Sequence, residues 1–336
     1  MDTSTADLKL SPDSSGAYVT PSDLSTLGVH KRGLHDDPGQ HYFLYVPRMR
    51  AANSPLLVAV HGISRNAAQL ARSLARKAER YGVVLVAPLF DEQRYPDYQR
   101  LGRAGRGERA DCALERILTE VRQLTAANVG KFYLFGYSGG GQFAHRYAMA
   151  NPARVAGMVI GAAGWYTAPD PHTRFPRGMK AIRALPDTHF ALEPFLRIPT
   201  AVVVGEYDTE RDLAFNQKHR LDVSQGSTRV ERGRRWIKQL RALAQDRGLA
   251  TAYSFDTLPE SDHSFRRCVK RGRLHKYVFR FLFGKPPAKL AGSSPRRNAS
   301  AAGVPERAQF TGGPGVGASA TYRMGSRVDL QPLEGS

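Results

Sequence analysis

Ser138 sits in Gly136-Tyr137-Ser138-Gly139-Gly140, a Gly-x-Ser-x-Gly spacing. The short apolar run Phe132 to Phe135 leads directly into it, and a helix-like segment, Gln142 to Ala150, follows. Strand, sharp turn and helix in that order form a nucleophile elbow. Small residues at 136 and 140 let the strand and helix backbones approach. The turn lifts the hydroxyl into the open at a helix N-terminus, where free N–H groups favour developing negative charge. Glycine is common in this chain, with 32 in 336 residues, so the spacing alone also fits a plain glycine-rich turn. The strand before and the helix after are what point to chemistry.

A serine hydroxyl is a weak nucleophile until a base takes its proton and a third group orients that base. His263, in Glu260-Ser261-Asp262-His263-Ser264-Phe265, follows the last apolar run and is the expected base. Asp208 follows Ala201-Val202-Val203-Val204 and is the expected orienting acid. Glu206 and Asp212 compete for that role, and Asp208 could instead cap a helix starting near Glu210. Asp262 beside His263 reads as a solvated loop residue. His145 lies inside the helix after Ser138 and reads as packed. His172 and His189 fall in an irregular segment, and His219 and His275 in polar or helical context.

Acyl transfer also needs donors for the oxyanion of its tetrahedral intermediate. The backbone N–H of Gly139, next after the serine, is one. The other is expected from the loop His61-Gly62-Ile63-Ser64, from Ile63 first and Ser64 second. His61 reads as a brace for that loop.

These residues need a frame that brings them together. Leu56–Val60, Val83–Ala87, Phe132–Phe135, Val155–Ile160 and Ala201–Val204 are short, mainly apolar runs. Such runs suit strands buried on both faces of a parallel sheet. His41–Val46 reads as a strand near a sheet edge, and Ala252–Phe255 as the last strand. Helical spacing recurs at Ala67, Leu70, Ala71, Leu74 and Ala78, at Leu114 to Leu124, at Trp236 to Ala244, and at Leu274 to Leu282. Alternation of strand and helix predicts an α/β fold, a doubly wound, mostly parallel sheet with helices on both faces. Ligands then bind beyond the carboxyl ends of the strands. His61, Ser138 and Asp208 each stand just past such an end.

Residues 1–37, rich in Ser, Thr, Asp, Gly and Pro, read as a loose arm. Residues 38–285 read as the catalytic domain, with 165–198 as a candidate cap segment. Residues 286–336 read as a disordered basic tail. Hydrophobic residues make up 41% of the chain, enough for a sizeable core, and the net charge is +19. That surplus favours acidic partners or surfaces without specifying a fold. Two cysteines make no disulfide framework. No apolar stretch follows basic residues near the start and no run approaches a membrane span, so a cytoplasmic location is expected.

Four stretches together, His61-Gly62-Ile63-Ser64-Arg65-Asn66, Gly136-Tyr137-Ser138-Gly139-Gly140, Gly205-Glu206-Tyr207-Asp208 and Ser261-Asp262-His263-Ser264-Phe265, resemble the α/β-hydrolase superfamily. Within it the compact branch of polyhydroxybutyrate depolymerase-like and feruloyl-type esterases is the most similar. The resemblance covers about residues 38 to 285. It implies a serine esterase with Ser138, Asp208 and His263 as its triad. Extracellular members of that branch carry a secretion signal, which is not seen here.

The expected substrate is a small or polymeric carboxylic ester. Trp165 and Tyr166, just past a strand end, are candidates to contact it, with closure of a small core as their other reading. No metal-ligand spacing and no Gly-x-x-x-x-Gly-Lys-Ser/Thr loop occur, so no metal or cofactor is expected. The run Arg229, Arg232, Arg234, Arg235, Lys238 and Arg241 lies largely opposite its helix's apolar stripe and reads as a solvated face, so no specific nucleic-acid partner is predicted. Arg266, Arg267, Lys270, Arg271 and Arg273 form a second cluster near His263 that would attract anionic substrates. A peptidase, thioesterase or acyltransferase would use the same triad. A silent scaffold binding an acidic partner is the non-enzymatic alternative.

Overall fold

A computed structural model describes residues 28–48 and 52–286. The tail and most of the arm lie outside the described residues. Eight strands run in the order β1 (His30–Leu34), β2 (Asp37–Tyr45), β3 (Leu56–Val60), β4 (Val84–Pro88), β5 (Phe132–Tyr137), β6 (Val155–Gly161), β7 (Thr200–Gly205) and β8 (Tyr253–Leu258). They form one sheet of spatial order β1-β2-β4-β3-β5-β6-β7-β8. β1 and β2 pair antiparallel, as do β2 and β4. From β4 to β8 every pairing is parallel.

The apolar runs occupy the interior of this sheet. Every residue of β3, β4 and β7 is buried. Both faces are therefore covered, as parallel crossovers require. Helices α1 (Ala67–Tyr81) and α8 (Leu274–Phe283) pack together on one face. Helices α2 (Ala110–Thr125), α3 (Gly139–Ala150) and α6 (Arg229–Gln245) cover the other. A hydroxyl–carboxylate bond from Tyr147 to Glu115 ties α3 to α2.

The structure corrects several expectations. Residues 30–34, assigned to the loose arm, form the edge strand β1. Its polar sequence hides it, because an edge strand buries few side chains. No helix begins near Glu210. Residues 209–218 form a non-helical segment, and a short helix α5 (His219–Gln225) follows it. Two more short helices are α4 (Leu192–Leu196) and α7 (Phe265–Lys270). Arg229 and Arg232 are buried, while Arg234, Arg235, Lys238 and Arg241 are exposed. The two buried arginines lie in the first turn of α6, where acids from neighbouring segments receive them. Among the described residues, no helix is long and apolar enough to cross a membrane.

Candidate active site

The turn between β5 and α3 holds Ser138 at φ 53° and ψ −113°, a conformation that non-glycine residues rarely adopt. It persists because the surroundings over-determine it. The Ser138 N–H donates to the Gly161 carbonyl at 2.7 Å, and its carbonyl accepts from the Gln142 N–H at 3.1 Å. A side chain at Gly136 would fall on the Gly140 carbonyl, and one at Gly140 on the Val60 carbonyl. Both glycines are thus set by backbone contact between strand, helix and the neighbouring β3.

Three distant side chains meet at the carboxyl edge of the sheet. His263 Nε2 lies 3.1 Å from Ser138 Oγ. His263 Nδ1 lies 2.8 Å from Asp208 Oδ2. Asp208 is fully buried, and His263 keeps 30% of its side-chain surface exposed. Because the carboxylate can only accept, Nδ1–H donates to Asp208, and Nε2 is left facing the serine hydroxyl as acceptor. The segment carrying His263 is held from below. The Tyr137 hydroxyl donates to the His263 carbonyl at 3.1 Å, and the Tyr137 ring packs edge-on against Phe265.

The competing residues are placed elsewhere. Glu206 accepts from the Glu260 N–H at 2.7 Å. Asp262 pairs with Arg267 at 2.8 Å. Asp212 pairs with Arg229, also at 2.8 Å. His145 is buried in α3, donating from Nδ1 to the Gly141 carbonyl and accepting at Nε2 from the Thr167 N–H. His172, His189 and His219 are exposed.

The loop after β3 lies against the elbow. A methyl group at Gly62 would sit 3.5 Å from Ser138 Cβ, and one at Gly139 would meet the Ile63 side chain. The Gly139 N–H opens α3 and has no intrahelical acceptor. Ser64 is exposed, with the Asn66 amide donating to its hydroxyl at 3.4 Å. His61 is the buried brace of this loop. Its Nδ1–H donates to the Gly62 carbonyl at 2.8 Å, and its Nε2 accepts from the Phe90 N–H at 3.0 Å.

Burial pushes the His61 imidazole from its ordinary 6.5 down to about 4. Burial likewise holds His145 well below its usual range. Each imidazole binds a proton more readily in the unfolded chain than in the fold. The stability that depends on their staying neutral is complete above pH 6.5 and falls below it, for His61 as pH drops from 6.5 toward 4. For His61 alone the loss approaches about 3 kcal/mol. Urea unfolding at pH 7.0, 5.5 and 4.5 should show it, and His61→Asn should flatten the decline. Equal stability across that range would contradict this assignment.

A cleft of about 220 Å³ opens on Ser138 and His263. Ile63, Leu70, Ala214 and Phe265 give it apolar walls, and Ser64, Asn66 and Gln69 a polar side. Trp165 and Tyr166, the expected substrate contacts, do not line it. Tyr166 is fully buried, its ring stacked on Trp236 at 4.9 Å. Trp165 is 7% exposed and carries the Arg146 guanidinium 4.2 Å from its ring centre. Tyr166 turns into the packing against His145 of α3 and Trp236 of α6, and Trp165 into that against Arg146 of α3 and Arg100. Phe265 and Ala214, which the sequence did not single out, take the wall positions. Among the described residues no three His, Cys, Asp or Glu side chains gather in a metal-ligating group.

Residues 55–194 match the family model of the alpha/beta hydrolase fold. No curated protein matches the chain in sequence. Among solved structures, poly(aspartic acid) hydrolase-1 from Sphingomonas sp. KT-1 is 24% identical with a TM-score of 0.61, covering 71% of this chain and 93% of its own. A poly(3-hydroxybutyrate) depolymerase from Bordetella parapertussis is also 24% identical with a TM-score of 0.61, covering 80% and 96%. Sheet order, strand–serine–helix turn and family model agree, and the protein has the α/β-hydrolase fold.

Proposed function

We propose that this protein is a serine hydrolase that cleaves carboxylic esters through an acyl-enzyme on Ser138. The observation that carries the reading is the continuous relay of Ser138 Oγ, His263 and Asp208, with steps of 3.1 and 2.8 Å. His263 Nε2 takes the hydroxyl proton as Ser138 attacks the ester carbonyl. The imidazolium then protonates the leaving alcohol, and Asp208 stabilises its charge and holds its tautomer. In the second half, His263 activates water, which attacks the acyl carbonyl and frees Ser138. The N–H groups of Gly139 and Ile63 are the oxyanion donors in this mechanism, with Ser64 beside them. Each backbone donor is worth about 100- to 1000-fold in rate.

The apolar walls of the 220 Å³ cleft fit a short acyl chain. A polymeric ester is included in the proposal, because a poly(3-hydroxybutyrate) depolymerase shares the fold. In this reading residues 38–285, with the edge strand β1 added, are the catalytic domain. Residues 165–198 are its cap segment, and the enzyme works in the cytoplasm. A fluorophosphonate probe tests the mechanism. It should label the wild type and leave Ser138→Ala unlabelled. Labelling of Ser138→Ala would point to another nucleophile, and labelling of neither would return the scaffold reading.

A further inference from the structure

The Asp208 carboxylate has a second partner on the side away from His263. Arg229, in the first turn of α6, is buried to 2% exposure and places Nη1 3.1 Å from Asp208 Oδ1. Its Nη2 lies 2.8 Å from Asp212 Oδ2, and Nη1 also donates to the Glu210 carbonyl at 3.2 Å. The guanidinium stands 4.8 Å from the centre of the Phe215 ring. Asp208, Glu210, Asp212 and Phe215 all belong to the non-helical segment after β7. The same segment sends Ala214 to the cleft wall. Arg229 therefore gathers Asp208, Glu210 and Asp212 of a stretch that has no regular backbone ladder of its own, and it shares the Phe215 ring with Arg232, whose guanidinium stands 4.0 Å from the ring centre.

A guanidinium keeps its charge in a protein, and its flat fork addresses two carboxylates at once. Burying it is costly unless acids receive it. A solvated ion pair on the surface of α6 would avoid that cost, so the buried arrangement needs a purpose. Asp208 supplies one. It is fully buried and needs its negative charge throughout the reaction, including the stages when His263 is neutral. With Oδ1 held by Arg229, Oδ2 is the oxygen left for His263 Nδ1.

We infer that Arg229 is a positioning residue of the relay, fixing the Asp208 carboxylate with Oδ2 toward His263 and pinning the 208–215 segment at the cleft. The inference rests on Ser138, His263 and Asp208 being a working triad. The other groups facing the pair are neutral or already engaged. Burial pushes the Tyr137 hydroxyl from β5, the Tyr166 hydroxyl after β6 and the Cys268 thiol of α7 upward, the thiol to about 11. Arg232 is held by Asp222, and Asp262 by Arg267. Arg229 and Asp212 are thus the charged side chains whose removal should move the acid limb of the pH–rate profile, and in opposite directions.

The test is kcat and kcat/KM against pH on a short p-nitrophenyl ester, using the full chain. Arg229→Gln should lower kcat about 10- to 100-fold with little change in KM. Its acid limb should move to higher pH, because the Asp208–His263 pair accepts a proton more readily without the neighbouring cation. Arg229→Lys should return the limb toward the wild-type position but recover kcat only in part, since an ammonium lacks the fork. Asp212→Asn should move the limb to lower pH, because the Arg229 charge then acts undivided on Asp208. An unmoved limb in Arg229→Gln, or a rate loss matching only its unfolded fraction, overturns the inference. If Arg229→Gln does not fold, Asp212→Asn decides: a limb that stays or rises overturns it. A wild type that neither turns over ester nor takes the fluorophosphonate overturns the triad reading and this inference together. An active wild type with an inert Ser138→Ala and an unshifted Arg229 profile overturns the inference alone.

Discussion

Ser138→Ala should lower kcat on a p-nitrophenyl ester by about 10⁶-fold, leaving only the residual rate that binding and the oxyanion donors supply. The loss should be clean. Among the described residues, the one partner of the Ser138 hydroxyl is His263, so no structural bond disappears with it. The backbone of the elbow is held by the Gly161 carbonyl and the Gln142 N–H, which alanine retains. Its positive φ is equally awkward for serine and alanine, so the melting temperature should change by no more than a degree or two. A variant that keeps more than about a hundredth of the wild-type kcat would show that the acyl group is not carried on Ser138.

Asp208→Asn should cost about 10⁴-fold in kcat while leaving the cleft in place. The reason is the tautomer. Arg229 faces the Oδ1 position and demands an acceptor there, so the asparagine carbonyl oxygen turns to it and the amide group turns to His263. An amide N–H facing Nδ1 forces that nitrogen to accept, which places the ring proton on Nε2. A protonated Nε2 cannot take the serine proton. The same substitution removes one of the two acids of a buried cation, so stability should also fall, by about 3 kcal/mol. Asp212, which remains, limits that loss. Rate and urea midpoint measured on the same preparation separate the two effects. A variant with full stability and a rate loss under tenfold would contradict this role for the carboxylate.

The residue pattern around Ser138 was legible because it depends on neighbours in the chain. Gly136 is set by the α3 backbone that follows it at once, and a strand turning this tightly into a helix needs a small residue there, whereas the contact that sets Gly140 comes from the Val60 carbonyl of the distant β3. Val, Leu and Ala runs marked the interior strands because strands buried on both faces have no polar side to hide. The edge behaved differently. His30–Leu34 is half exposed, and its polar side chains look like those of a loop.

What the order of residues determined by itself is the sequence of strand ends and the chemical types placed just beyond them: His61, Ser138, Asp208 and His263. Which acid faces the imidazole was a tertiary matter, because Glu206, Asp208 and Asp212 stand within one short segment and differ only in where the fold turns them. Burial of Arg229 and Arg232 was decided the same way. On their own helix they read as solvated, and only packing against the segments after β7 brings the acids that make their burial affordable. Trp165 and Tyr166 followed the same logic in reverse, since aromatic rings go to the packing that covers most of their area, and here that packing is α3 and α6 rather than the cleft. Local sequence constrains backbone geometry and polarity, whereas the partner of a charge or a ring is chosen by elements far away in the chain, as His263 stands 125 residues from Ser138.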